Sequence, residues 1–295
     1  MTTTTRPGAT AHSSAAPPPH RPSTAQRARL WVAEHFVMLA AIAALLYLFL
    51  PVAYTLAFSF NDHGRSNIVW QGFTLEHWQD PCGVTGACES LVTSLQVASI
   101  STIVATVLGT LMALAMVRYR YRGRSASNML VFVPMATPEI VLGAALLAIF
   151  VQGFSDLGLN LGFWTIIFSH IMFCLSFVVV TVKARIQSLD PRIEEAAQDL
   201  YASPAQTFRT VTLPLILPGI LGAAMLAFSL SFDDFIITNF VSGNESTFPK
   251  FVYVASRRGI PAEANVIGFS MFVLAVLLVV SAQVVSSLRA SRLKD

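Results

Sequence analysis

Glu139, Asp233 and Asp234 are carboxylates set in or against long apolar runs, where an ionisable side chain is costly and by default marks a pathway or a paired site. Glu139 lies about ten residues into one run, which on a straight helix is ~15 Å deep and near the midplane of a bilayer. Pro134 and Pro138 just ahead of it are expected to break the helix and free backbone carbonyls, which is tolerated only where they face protein or a cavity. An acid beside free carbonyls suits a cation; the alternative is a protonated Glu139 bonded to a neighbouring helix. Asp233 and Asp234 come ~23 to 27 Å along a later run, and because adjacent residues point to different helix faces, one of the two is expected to face a path. Carboxylates at two depths suit a slender polycation with ammonium groups spaced along an aliphatic chain. Phe232, Phe235 and Trp164 are the aromatics expected to add cation–π contacts.

Other reactive types are weaker signals. His170 and Cys174 are one helical turn apart, but two metal ligands without a third read as buried polar packing. Ser169 and His170 find no general base on a separate run. Cys82 and Cys88 share one loop and would form a disulfide in an oxidising compartment or remain two thiols. A phosphate-cradling loop needs Gly-Lys-Ser/Thr, and Lys183, Lys250 and Lys294 follow Val, Pro and Leu. ATP hydrolysis is therefore not expected on this chain.

The elements that must carry these residues are hydrophobic. The 295 residues are 54% hydrophobic and 12% charged, and the mean hydropathy of +0.63 is too high for an ordinary soluble domain. Runs at 36–58, 91–117, 129–151, 159–182, 215–232 (extendable to 241) and 264–288 each approach the ~20 apolar residues that cross a bilayer. Six transmembrane helices are predicted. The first run is too long and too far inside the chain for a cleavable signal. Residues 1–28, rich in Thr, Ala, Pro and Ser, are expected to be a disordered tail, and 29–295 the membrane domain. All the Lys and Arg except Arg65, Lys250, Arg257 and Arg258 fall on one side of a six-span topology, which predicts both termini in the cytoplasm. Ala105, Gly109 and Ala113 form a small-residue row suited to close helix packing.

Between the fourth and fifth runs lies a polar insert, 183–216. Asp190-Pro191 is a helix start, followed by Ile193, Ala196, Ala197 and Leu200 on one face. Ser203, Pro204 and Gln206 give a second start, and that helix, with Phe208 and Val211 on its apolar side, is expected to stop near Pro214. The first helix is acidic at Glu194, Glu195 and Asp199, a poor match to an anionic lipid surface and a better one to a protein partner.

Glu195-Ala196-Ala197, a turn position at Tyr201, then Val211 and Leu213-Pro214 resemble the "EAA" signature of integral membrane permeases in binding-protein-dependent ATP-binding-cassette importers. That family usually has Gly where this chain has Tyr201. From about Trp31 onward, with "SFDDFIITNFVSG" among the matching stretches, the chain is similar to the second permease subunit of spermidine/putrescine importers. The resemblance implies an all-α integral membrane fold with six spans and a cytoplasmic coupling insert between spans four and five. Glu194, Glu195, Ala196, Ala197, Asp199, Tyr201, Ser203, Val211, Leu213 and Pro214 would couple to an ATPase, and Glu139, Trp164, Phe232, Asp233 and Asp234 would line the substrate pathway. It also implies a second membrane permease, a dimer of ATP-binding subunits carrying ATP and Mg, and an extracytoplasmic solute-binding protein in a bacterial inner membrane. This chain would hold no cofactor and bind no nucleic acid. A sugar, organic anion or metal complex is the alternative cargo; an anion path should show Arg or Lys at depth, and no basic residue lies inside a predicted span. An ion-coupled carrier would explain Glu139 but not the insert.

Overall fold

The computed structural model describes residues 24–62, 67–153, 160–257 and 259–292. Among these the regular elements are helices: α1 (Thr24–Phe58), α2 (Glu76–Gln79), α3 (Ala87–Arg118), α4 (Arg124–Ala136), α5 (Glu139–Gly153), α6 (Phe163–Gln187), α7 (Arg192–Asp199), α8 (Pro204–Thr207), α9 (Leu213–Asp233), α10 (Ile236–Val241), α11 (Phe248–Ser256) and α12 (Ala262–Arg292). The expected tail lies outside the described residues as far as 23, and 24–28 belong to α1. The chain divides into two units, Met1–Tyr54 and Thr55–Asp295. In the first, the apolar α1 carries Trp31 and His35 stacked one turn apart, with the His35 ring at 2.8 Å from the Trp31 carbonyl.

In the second unit, α3, α6 and α9 pack together around a common core. A bilayer offers no hydrophobic gain for bringing helices together, so close approach and interdigitation must do it. On α3 the row Ala105, Gly109 and Ala113 is fully buried, and a Cβ added to Gly109 would sit 2.6 Å from the Val178 Cγ1 of α6. Val178, Val179 and Val182 fill that groove, and α6 is the most enclosed helix of the set.

Among the described residues five helices are long and apolar enough to span a membrane, and a sixth span results if α4 and α5 count as one. Those two are the predicted third span, and they meet at 107°. The break falls at Thr137-Pro138 rather than at Pro134, which α4 accommodates. Pro138 has no N–H to continue the ladder and disfavours helix in the residue before it, and Thr137 is extended. The straight-helix depth assigned to Glu139 therefore does not apply.

The insert differs from expectation in a second way. Its second helix does not stop near Pro214: α8, a π turn (Phe208–Thr212) and α9 form one run, Pro204–Asp233. The Leu213 N–H bonds to the Phe208 carbonyl five residues back. That wider turn shifts the hydrogen-bond register just where Pro214 would otherwise interrupt it.

Candidate functional site

Two features of the Thr55–Asp295 unit carry the candidate residues: the insert and a large cavity beside α9.

The insert begins at Asp190, whose Oδ1 accepts from the Arg192 N–H at 3.0 Å and caps α7. Glu194 and Glu195 in the first turn complement the positive end of the helix dipole, but their surroundings differ. Glu194 turns inward: its Oε1 accepts from Arg118 Nη2 at 2.5 Å and from Thr212 Oγ1 at 2.8 Å. That one carboxylate ties α7 to the end of α3 and to the π turn. Glu195 is exposed and has no ion pair among the described residues. Asp199 is exposed at the far end of α7, Ala196 lies open, and Ala197 is half-buried.

At the C-terminus of α7 the Tyr201 N–H bonds to the Gln198 carbonyl at 2.9 Å and the Ala202 N–H to that of Ala197 at 3.2 Å. This pair of bonds makes a Schellman turn, which places its first post-cap residue in the left-handed region and usually has Gly there. Tyr201 occupies that position with φ +64° and is, among the described residues, the one non-glycine with positive φ. The turn geometry that the signature's Gly would serve is thus built on a tyrosine, at a cost of ~1 kcal/mol or more. Tyr201→Gly should remove that strain without changing the turn. Hydrogen exchange at the Ala202 amide is the measure: slowing of about fivefold is expected, and faster exchange would show that the Tyr201 side chain itself stabilises the turn.

Leu200 is 82% and Tyr201 99% exposed, so the tip of the insert is apolar and uncovered. Ser203 opens the next helix, its Oγ accepting from the Gln206 N–H at 3.3 Å, with Pro204 at the first position. Val211 and Leu213 are half-buried and Pro214 is exposed. The end of α6 grips the base of this run: Arg185 donates from Nε and Nη2 to the Leu215 carbonyl at 3.1 and 2.8 Å. Its side chain lies over Gly219, where a Cβ would be 2.5 Å from Arg185 Cγ.

The cavity, about 1040 Å³, is walled by α9, α11 and α12, with Met225, Phe228, Phe232, Val252, Tyr253 and Phe272 among its lining. Among the described residues Asp233 is the one charged residue lining it, beside the Ser229 and Ser256 hydroxyls. Phe232 stacks on Phe228 with ring centroids 6.0 Å apart. An apolar trough with one carboxylate can hold an alkyl chain that bears a cationic end.

The other pathway candidates are not brought to this cavity. Asp234 is buried on the opposite side of the chain, where its oxygens accept from the Ile237 N–H, the Thr238 N–H and the Thr238 hydroxyl at 3.3, 2.8 and 2.9 Å. His170 Nε2 lies 3.2 Å from the same carboxylate. Glu139 is exposed at the start of α5, with no bonded partner among the described residues. Trp164 is an exposed residue at the start of α6, edge-on to Phe163. Glu139 and Asp233 thus do not line one common cavity of this chain. Phe235 packs against Tyr253 at 4.3 Å between centroids, and Arg257 lies over the Tyr253 ring and bonds its hydroxyl.

His170, expected as buried polar packing, is that, and what the sequence did not reveal is its partners, Ser231, Thr238 and Asp234. Lys250 donates to Ser242 Oγ and to the Gly243 and Glu245 carbonyls at 2.7, 3.1 and 2.9 Å. Burial pulls its ammonium below the ordinary lysine range, opposed by the Glu245 carboxylate. Arg65 and Arg258 lie outside the described residues. Cys82 and Cys88 are joined as a disulfide in the loop ahead of α3, with Cα atoms 5.4 Å apart.

Comparison with known proteins places these features. The spermidine/putrescine transport system permease protein PotC of Escherichia coli (strain K12) is 37% identical over 241 residues, covering 81% of this chain and 89% of that protein. The putrescine transport system permease protein PotI of the same organism is 34% identical over 223 residues, covering 74% and 79%. Among solved structures, that of a bacterial alginate ABC transporter in complex with alginate pentasaccharide-bound periplasmic protein superposes with a TM-score of 0.66. At 18% identity it covers 86% of this chain and 93% of that one, and shows a shared fold. The family of binding-protein-dependent transport system inner membrane components matches residues 105–294. With that match, and a helical membrane fold shared with importer permeases, the chain belongs to the inner membrane components of binding-protein-dependent transport systems, as a multi-pass permease.

Proposed function

We propose that this chain is a permease subunit of an ATP-driven importer of polyamines such as spermidine and putrescine, and that it supplies half of the translocation path. The observation that carries the reading is the insert, held on one side through Glu194 and bare on the other at Leu200 and Tyr201. A helix moored to the bundle with an uncovered apolar tip has the form needed to enter a cleft of a soluble partner and pass its movement inward. The partner is a dimer of ATP-binding subunits, which hold ATP and Mg; a second permease completes the path, and an extracytoplasmic solute-binding protein delivers the cargo. Both termini face the cytoplasm with the insert, in keeping with the basic residues of the loops beside it. The cargo reading rests on Asp233 in its apolar cavity together with the similarity to PotC and PotI.

The test is uptake of labelled spermidine and putrescine in cells lacking this chain, with and without it restored, against a neutral sugar as control. Polyamine uptake that returns with the chain and disappears on ATP depletion is the expected result. Sugar uptake alone would overturn the cargo and leave the coupling role in place. Polyamine uptake indifferent to ATP would overturn the coupling.

A further inference from the structure

The break between α9 and α10 is crossed by one side chain from a third helix. His170 of α6 reaches Ser231 Oγ through Nδ1 at 2.7 Å, ahead of the break, and Thr238 Oγ1 and Asp234 Oδ2 through Nε2 at 3.0 and 3.2 Å, beyond it. One turn along the same face of α6, Cys174 Sγ meets the Ala227 carbonyl of α9 at 3.4 Å. We propose that His170 is a positioning residue that staples this break and so holds Asp233 at the cavity. The proposal rests on the reading of Asp233 as the carboxylate that meets cargo.

The geometry gives the staple its purpose. α9 ends at Asp233, and Asp234 is extended, with φ −64° and ψ 123°, so the two neighbouring carboxylates diverge. Asp234 turns back to bond the first N–H groups of α10, doing at a buried break what a capping residue does at a surface. A break of this kind leaves two soft dihedrals per residue, and nothing in α9 or α10 alone fixes the angle between them. From outside both, His170 ties the two helices together at the break itself, while the far end of α10 is held by the Thr165 hydroxyl, which donates to the Val241 carbonyl at 2.7 Å, and by Phe240 lying over Gly143 of α5. His170, Ser231, Asp234 and Thr238 are all more than nine-tenths buried. In such surroundings each partner left unmatched is costly, which makes the arrangement nearly all-or-none. Asp233, one residue from this anchor, is exposed to the cavity. A displacement of about 1 Å at a positioned group is enough to lose most of its effect.

Two measurements on the full importer in membranes separate this proposal from the reading beneath it. The first is positional and needs no cargo. In an Asp233→Cys chain the thiol is modified by a cationic methanethiosulfonate, against a chain retaining Asp233 as background, with and without His170→Leu. The labelling rate is expected to fall about tenfold with His170→Leu and to recover most of that with His170→Gln, whose amide N–H can still donate to Asp234. Ser231→Ala, which removes only one arm, is expected to give a smaller fall and serves if His170→Leu does not assemble. An unchanged rate in these variants would overturn the staple. The second is spermidine uptake: His170→Leu should raise KM about tenfold and add nothing further in an Asp233→Asn chain. Losses that multiply would show His170 acting independently of Asp233 and overturn the proposal. Wild-type uptake by Asp233→Asn, with labelling still dependent on His170, would instead strike down the cargo reading and leave the staple standing.

Discussion

Glu194→Arg is expected to abolish ATP-driven uptake while the chain still inserts in the membrane, and Arg118→Glu in the same chain is expected to restore a large part of it. The single change puts two guanidinium groups where a carboxylate now accepts from both Arg118 and Thr212. The side chains of Arg118 and Glu194 are only 26% and 21% exposed, so solvent screens that repulsion incompletely. Coupling energies of half-buried, hydrogen-bonded pairs run to about 1–3 kcal/mol, or roughly fivefold to 150-fold in the population of the moored insert. The swapped pair should recover the contact between α3 and α7 while losing the bond to Thr212, so rescue should be substantial and incomplete. Glu195→Lys is the control: it should also impair coupling, by altering the exposed face offered to the ATPase, but Arg118→Glu should not rescue it. The check is transport-coupled ATP hydrolysis and uptake in the same membranes. A swapped chain no better than Glu194→Arg alone would show that something other than this pair positions α7.

The second large effect is expected at Asp233. Asp233→Lys places a cation in a cavity of about 1040 Å³ that has, among the described residues, one charged lining side chain. At ~4 Å and an effective dielectric constant of ~20, the interaction of two unit charges is worth ~4 kcal/mol, so a change of sign should lower kcat/KM for spermidine by at least about a hundredfold. Asp233→Asn, which removes the attraction without adding repulsion, should cost less than the reversal of sign and act mainly on KM. Glu139→Gln should change uptake less than either, because Glu139 is exposed at the start of α5 and does not line this cavity. Initial uptake rates against spermidine concentration decide between them. A larger loss at Glu139 than at Asp233 would move the path from this cavity to the start of α5.

What could be read in advance was what the chain encodes locally. The apolar runs, the break at Pro138, and the two helix starts at Asp190 and Ser203 appear where periodicity and capping chemistry placed them, whereas Pro134 lies inside α4. The small-residue row of α3 is legible for the same reason: Ala105, Gly109 and Ala113 announce a close approach whatever the neighbour is. The neighbour itself is not announced, and that is where sequence reasoning stopped. His170 meets partners 61, 64 and 68 positions away, and Glu194 meets one 76 positions back; no local pattern encodes such distances. Glu194 and Glu195 look alike in sequence, and only the packing of α7 decides which is held and which is offered. Pro214 misled because a proline after a short amphipathic helix ordinarily ends it; here a π turn, whose Thr212 hydroxyl bonds Glu194, carries the helix past it.

The run from Pro204 to Asp233 is 30 residues of helix without an end, some 45 Å at ~1.5 Å per residue. Such a shaft fixes an angle as well as a length. A residue inserted or deleted anywhere along it would swing one end by about 100° relative to the other, turning Asp233 away from its cavity or the insert away from whatever it meets. A substitution costs only its own packing; a change of count costs the alignment of the two ends. This segment should therefore accept many changes of letter and almost none of number, and the freedom to lengthen or shorten that loops usually enjoy should begin abruptly on either side of it.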